Sequence, residues 1–249
     1  MYHIEQYRTK WHDTDANRMV RPSQMMVYLQ ETANLHMIQA GQSLDELRDT
    51  RGLGFILTRM SMEIHQHVHA HEDIQVRTWI TYGKGFNYPR YFSMERPDGS
   101  IIAQACSHWV LLDLATHRPL RADEYRYNYE PEPPLPLTPP RRFLVPESME
   151  CVGERKIVYS DLDYNGHMNN TRYPDMVCDF LPDGTVSRIR AMHFNYVNEG
   201  KAGATLRVMR GERTTEDNNT IYLVQTYDAD DKLCLDCEVH VAPCDLCEG

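Results

Sequence analysis

DLDYNGHMNN, residues 161–170, puts two carboxylates, a histidine and several carboxamides onto what reads as a strand-to-helix corner. A helix opening on Asn169 brings backbone N–H groups that its own carbonyls leave unsatisfied, beside side chains able to move protons. The stretch decides the fold through its echo. WHDTDANRMV, residues 11–20, repeats the D-x-D-x-N of Asp161, Asp163 and Asn165 as Asp13, Asp15 and Asn17, always 148 positions earlier. A repeat of that length predicts two similar halves rather than one unique fold.

Outward from each copy the order of elements also repeats. In the first half, HIEQYRTKW reads as a strand and Pro22 to Ala40 as a helix, with Pro22 in its first turn and Gly41 closing it. Met25, Met26, Leu29, Ala33, Met37 and Ile38 recur at helical spacing, which predicts one buried face. A short helix at Leu44 to Asp49 precedes the strands FILTRMSMEIHQHV, DIQVRTWITYG, FNYPRYFSME and SIIAQACSHWVLLDL, the last two joined through the turn Pro97-Asp98-Gly99. In the second half KIVYSDLD reads as a strand and Asn169 to Phe180 as a helix. IRAMHFNYVNE, ATLRVMRGE, TIYLVQTYD and KLCLDCEVHV read as strands. A strand, one long helix and an antiparallel run bury that helix by wrapping the sheet around it. The expected class is therefore α+β, a tandem hot-dog fold with two antiparallel sheets, each around a long helix.

The predicted boundaries are an N-terminal repeat over 1–121, a connector over 122–148 and a C-terminal repeat over 149–249. The connector is rich in proline, with Pro131, Pro133, Pro134, Pro136, Pro139, Pro140 and Pro146, and so reads as extended chain over the surface.

Composition narrows the function. A net charge of −10 argues against nucleic-acid binding, which needs a basic face. No apolar run reaches the roughly 18 residues of a membrane span, and MYHIEQYRTK lacks a signal-peptide core, so a soluble cytoplasmic protein with no membrane partner is expected. Seven cysteines then read as reduced thiols.

D-x-N-x-H-x-N-N at Asp163, Asn165, His167, Asn169 and Asn170, with Tyr173 and then N-Y-x-x-E at Asn195, Tyr196 and Glu199, resembles the acyl-ACP thioesterase family. Arg21 to Ser23, WHDTDANRMV and HWVLLDLATHRPLR extend the likeness through the first half. The resemblance implies hydrolysis of fatty acyl-ACP, with acyl carrier protein as partner, and marks Asp163, Asn165, His167 and Glu199 as catalytic positions. No cofactor and no metal is expected.

Thioester hydrolysis needs an activated water or a protein nucleophile, plus donors for the developing oxyanion. Glu199 is read as the base that activates or orients the water. Asn165 and His167 would hold water or carbonyl, N–H groups near Met168 and Asn169 would receive the oxyanion, and Asp163 would fix the corner or orient a neighbour. Some plant members are credited with a cysteine directly after the glutamate; here that position is Gly200. Cys178 reads as a buried structural thiol. In the first half Met19 stands at the position of His167, and aligning Ile74 with Leu206 sets His67 opposite Glu199. That half is expected to be a degenerate copy lining the acyl site.

Two patterns compete for attention. Cys234 and Cys237 with Cys244 and Cys247 form paired CxxC motifs, but an odd spacing on a strand sends the first pair to opposite faces. His65, His67, His69 and His71 alternate as if sharing a strand face, without a carboxylate or Cys cluster to complete a metal site. An acidic carrier would require a local basic patch, for which Arg118, Arg121, Arg141, Arg142 and Arg172 are the candidates. Other readings of the same residues are an acyl-CoA thioesterase and a non-hydrolytic acyl-binding protein. One chain carrying both repeats is compatible with a monomer or a homodimer.

Overall fold

The computed structural model describes residues 1–140 and 142–243. The chain forms two compact units, Met1–Pro139 and Pro140–Gly249, and each has the hot-dog topology.

In the first unit β1 (His3–Arg8), β2 (Leu53–Ile64), β3 (Asp73–Ile80), β4 (Tyr88–Glu95) and β5 (Ile101–Asp113) form an antiparallel sheet in the order β1-β3-β4-β5-β2, with the two-residue β6 (Pro119–Leu120) beside β5. Burial follows position in the sheet. β1 alternates half-buried and exposed residues, whereas β4 is buried almost throughout, as an inner strand covered on both faces must be. The turn at Arg96 to Ser100 closes with Gly99 at φ +84°, a conformation glycine adopts freely.

Helix α1 (Pro22–Gln39) starts at a proline and ends at Ala40, with Gly41 left-handed beyond it. It packs on β1 and β3 and buries Met25, Met26, Leu29, Ala33 and Met37, each Met and Leu side chain contributing about 1.5–3 kcal/mol by leaving water. Ile38, expected on that face, is 57% exposed; the buried polar positions are Ser23, Thr32, bonded to Tyr7 at 2.9 Å, and His36, stacked on Tyr129. Helix α2 (Leu44–Arg51) is capped by Ser43 and stopped by left-handed Gly52.

The second unit repeats the strand order. β7 (Glu150–Lys156), β8 (Ile189–Tyr196), β9 (Thr205–Thr214), β10 (Thr220–Tyr227) and β11 (Leu233–Val241) run β7-β9-β10-β11-β8, all antiparallel. Its helix differs from expectation. Asn170–Arg172 is a single 3-10 turn, and α3 covers only Tyr173–Asp179 before the Pro182-Asp183-Gly184 stretch turns the chain. The segment KIVYSDLD is likewise not a strand. β7 ends at Lys156, and Tyr159–Asp161 is a 3-10 turn, because the buried Asp161 carboxylate accepts the Val158 N–H at 2.8 Å and meets Arg155 at 2.7 Å.

The connector contains no helix or strand among its described residues, but much of it is packed rather than laid over the surface. Tyr125 and Tyr129 enter an aromatic core with Tyr88, Phe55 and Met37, and Leu137 joins Trp79 and Tyr91. Trp79 Nε1 donates to Pro133 O at 2.9 Å and Arg77 pairs with Glu132 at 3.0 Å. β2 stops at Ile64, so the alternating histidines lie on a loop, where Arg96 binds His67 O and His71 takes φ +67°.

Candidate active site

The corner at 161–168 is built by one carboxylate. Asp163 Oδ1 accepts from Asn165 N at 2.8 Å and His167 N at 3.2 Å, while Asp163 N donates to His167 O at 2.8 Å. Gly166 N closes onto Asp163 O with φ +78°, where a Cβ would be strained. Two more backbone contacts fasten this turn to the segment after β8: His167 pairs with Lys201, and Met168 N donates to Gly200 O at 2.8 Å. Residues 32 positions apart in sequence are thereby set side by side, and His167 Nε2 lies 3.3 Å from Glu199 Oε2. Both side chains are accessible, 34% and 54% exposed, so water reaches the pair. A contact that open adds at most about 1 kcal/mol to stability.

The first unit contains the same frame without the histidine and the glutamate. Asp15 Oδ1 accepts from Asn17 N at 2.8 Å and Met19 N at 3.1 Å, Asp15 N donates to Met19 O at 2.9 Å, and Arg18 takes the left-handed φ of +61° at the place of Gly166. Met19 pairs with His69 as His167 does with Lys201, and Val20 N donates to Val68 O as Met168 N does to Gly200 O. Met19 and His67 therefore occupy the places of His167 and Glu199.

Residues 1–129 match the acyl-ACP thioesterase N-terminal domain, and residues 148–236 match the acyl-ACP thioesterase C-terminal domain. The chain belongs to the acyl-ACP thioesterase family. A palmitoyl-acyl carrier protein thioesterase from Cuphea hookeriana chloroplasts is 26% identical over 192 residues, which is 72% of this chain and 46% of that protein. The chain spans about half the length of the curated relatives it matches. Among solved structures, an acyl-ACP thioesterase from Bacteroides thetaiotaomicron superposes with TM-score 0.85 at 24% identity, covering 96% of both chains. A 12:0-ACP thioesterase from Umbellularia californica gives 0.78 at 16% identity, covering 98% of this chain and 94% of the other. The two likenesses agree on the tandem hot-dog fold.

Within this family frame some expected roles do not survive the geometry. The N–H groups of Met168 and Asn169, expected to bind the oxyanion, already donate to Gly200 O and Asp161 O, each at 2.8 Å. Asn169 itself caps the following turn, its Oδ1 accepting from Thr171 N at 2.9 Å. The side chain placed beside Glu199 is that of His167, and Asn165 lies exposed two residues before it.

Cys178, expected to be buried, is only half-buried, and Cys151 is exposed, whereas Cys106 is buried and is pushed up to about 12 by burial. Cys234 and Cys237 are buried, and burial raises both. Cys244 and Cys247 lie outside the described residues, as does Arg141. Among the described residues no group of three or more His, Cys, Asp or Glu could hold a metal ion, and no helix is long and apolar enough to cross a membrane. Of the arginines expected to dock a carrier, Arg118 pairs with Glu124 at 2.6 Å and Arg121 with Asp123 at 3.4 Å, so both are locally neutralised. Arg142 and Arg172 are exposed.

One residue near the pair had no role assigned from sequence. Tyr173, 3% exposed, packs edge-on against Tyr196 at 5.4 Å, with its hydroxyl 3.0 Å from where a Cβ on Gly200 would lie. Its place in the motif was visible, but a contact with a residue far along the chain leaves no local sequence signal.

Proposed function

We propose that this chain hydrolyses the thioester of fatty acyl-ACP in the cytoplasm, releasing free fatty acid and holo-ACP, with Asp163, Asn165, His167 and Glu199 as the working residues. The observation that carries the reading is the 3.3 Å contact of His167 with Glu199 on a solvent-open turn, present in one unit and replaced by Met19 and His67 in the other. Glu199 takes a proton from a water that His167 helps to hold, and the water oxygen adds to the thioester carbon. The Asn165 carboxamide and the His167 ring stabilise the oxyanion, since the nearby backbone donors are occupied. Collapse breaks the C–S bond, and the departing thiolate takes up the proton. Asp163 acts through the turn it holds, because Asp15 makes the same bonds where no dyad exists; this favours Glu199 over Asp163 as the base.

On this reading residues 149–249 are the catalytic repeat, 122–148 the connector and 1–121 the repeat that receives the acyl chain, in a monomer or a homodimer. Acyl-CoA hydrolysis is the second reading, favoured by the local neutralisation of Arg118 and Arg121. The test is thiol release from acyl-ACP and acyl-CoA by the unaltered chain and by His167→Ala and Glu199→Ala. Each substitution should lower turnover about 100-fold or more, while Met19→Ala and His67→Ala stay within severalfold. Equal losses in both sets would remove the assignment, and a preference for acyl-CoA would favour the second reading.

A further inference from the structure

We propose that Asn198 is a positioning residue for the reaction: its side-chain amide donates to Leu233 O and so holds the stretch of chain that carries Glu199 against His167. The inference rests on the reading of the dyad just given. β8 ends at Tyr196, opposite Leu235 of β11. Just past it Val197 N and Asn198 N both donate to one carbonyl, Cys234 O, at 2.9 and 3.2 Å. Two residues set against one carbonyl make a β-bulge, which bends the strand and re-aims the side chain beyond it, here that of Glu199. Asn198 Nδ2 then donates to Leu233 O at 2.7 Å, so the residue before Glu199 is tied to β11 through both backbone and side chain. On the far side of Glu199, Gly200 O accepts from Met168 N and Lys201 pairs with His167.

The first unit has the bulge but not this tie. His65 N and Gln66 N both donate to Ile102 O, at 2.8 and 3.2 Å, each residue standing 132 positions before its counterpart among Val197, Asn198 and Cys234. There the Gln66 carboxamide accepts from Arg96, whose guanidinium also donates to His67 O at 2.8 Å and pairs with Glu72 at 3.0 Å. Arg96 and Asp228 hold the same place in the two units. Each opens a turn with its N–H, Arg96 donating to Ser100 O at 2.9 Å and Asp228 to Lys232 O at 3.0 Å. The clamp in the unit without a dyad is therefore a cation, whereas in the unit with Glu199 an aspartate stands at that place and a neutral carboxamide makes the tie. A guanidinium beside Glu199 would favour its ionised form and weaken it as a base. An amide donor fixes the backbone without that effect.

Asn198 is exposed, so its contribution to folding is small and removing its amide loosens the bulge without unfolding the unit. The cost falls on the reaction instead, because small displacements of a base from the water it activates are expensive.

The experiment is Asn198→Ala in the unaltered chain and in a Glu199→Ala background, with Gln66→Ala as the control in the other unit, measuring kcat and KM for thioester hydrolysis. Positioning predicts a fall in kcat of more than about threefold in the unaltered chain, with KM within about threefold. It also predicts a further fall of less than about twofold once Glu199 is gone. Gln66→Ala should leave kcat within about twofold, since its unit has no dyad. Any other pattern overturns the proposal, including a change confined to KM and a loss at Gln66→Ala equal to that at Asn198→Ala. Exchange of the Asn198 side-chain amide protons in the unaltered chain gives a reading that needs no variant: slowed exchange supports the bond, and the rate of a free carboxamide refutes it. If Glu199→Ala alone leaves turnover intact, the dyad reading fails and this proposal with it. An intact kcat in Asn198→Ala beside a crippled Glu199→Ala removes only the role of Asn198.

Discussion

Replacing Asp163 by Ala, and in parallel Asp15 by Ala, separates scaffold from chemistry. Each carboxylate accepts two backbone N–H groups, at 2.8 and 3.2 Å for Asp163 and at 2.8 and 3.1 Å for Asp15. Bonds to a charged acceptor contribute about 1.5–3 kcal/mol when sheltered, but both turns are partly solvated, so about 1 kcal/mol each and ~2 kcal/mol per turn is the better figure. Both variants should therefore lose about 2 kcal/mol in urea unfolding followed by far-ultraviolet circular dichroism. Activity should diverge. A penalty of ~2 kcal/mol lowers the population of a marginal ordered turn by at most about thirty-fold. Thiol release from acyl-ACP should fall by up to that factor in Asp163→Ala and stay within about threefold in Asp15→Ala. Asp163→Asn, which keeps an uncharged acceptor oxygen, should recover part of the loss. Equal loss of turnover in the two alanine variants would refute the division of labour between the units, and an unchanged stability in Asp163→Ala would refute its role as the turn's anchor.

Stability should fall as pH drops below about 6.5, the value for an unfolded histidine, because burial lowers His193 to about 4, helped by His240 and opposed by Glu238. His36 is lowered to about 3 by burial and then by the Arg90 cation. The unfolded chain gains protons over this window that the fold refuses, at a loss of at most about 1.4 kcal/mol per pH unit for each histidine. His193→Gln should flatten the slope between pH 6.5 and 4, and an unfolding midpoint that does not drop from pH 7 to 5 would contradict the assignment. Single Cys→Ala changes at Cys106, Cys151, Cys178, Cys234 and Cys237 should retain turnover, and an acyl group trapped on any of these sulfurs would replace the water mechanism. Arg172→Ala should weaken use of acyl-ACP more than that of a small acyl thioester, with added salt mimicking it, while Arg118→Ala with Arg121→Ala should do less because both are already paired. If acyl-ACP and acyl-CoA respond alike to Arg172→Ala, that residue docks no carrier.

The two-unit plan was legible in the sequence because it rests on local periodicities. The repeated D-x-D-x-N, the helical spacing of Met25, Met26, Leu29, Ala33 and Met37, and the strand runs each carry their own signal, and they lie within a few residues of where the elements form. The corner was legible as a corner, since Asp163, Asn165 and Gly166 turn the chain with bonds spanning only a few positions. Local reading failed where a distant partner decided. Arg96 binds His67 O in the histidine loop from 29 positions away, and Tyr125, Tyr129 and Leu137 found core sites despite the prolines around them. Only tertiary structure set His167 beside Glu199, and the same register used the Met168 and Asn169 N–H groups for backbone bonds. Which groups a strand or turn presents depends on the segment lying next to it, and no pattern confined to one stretch of chain records that neighbour.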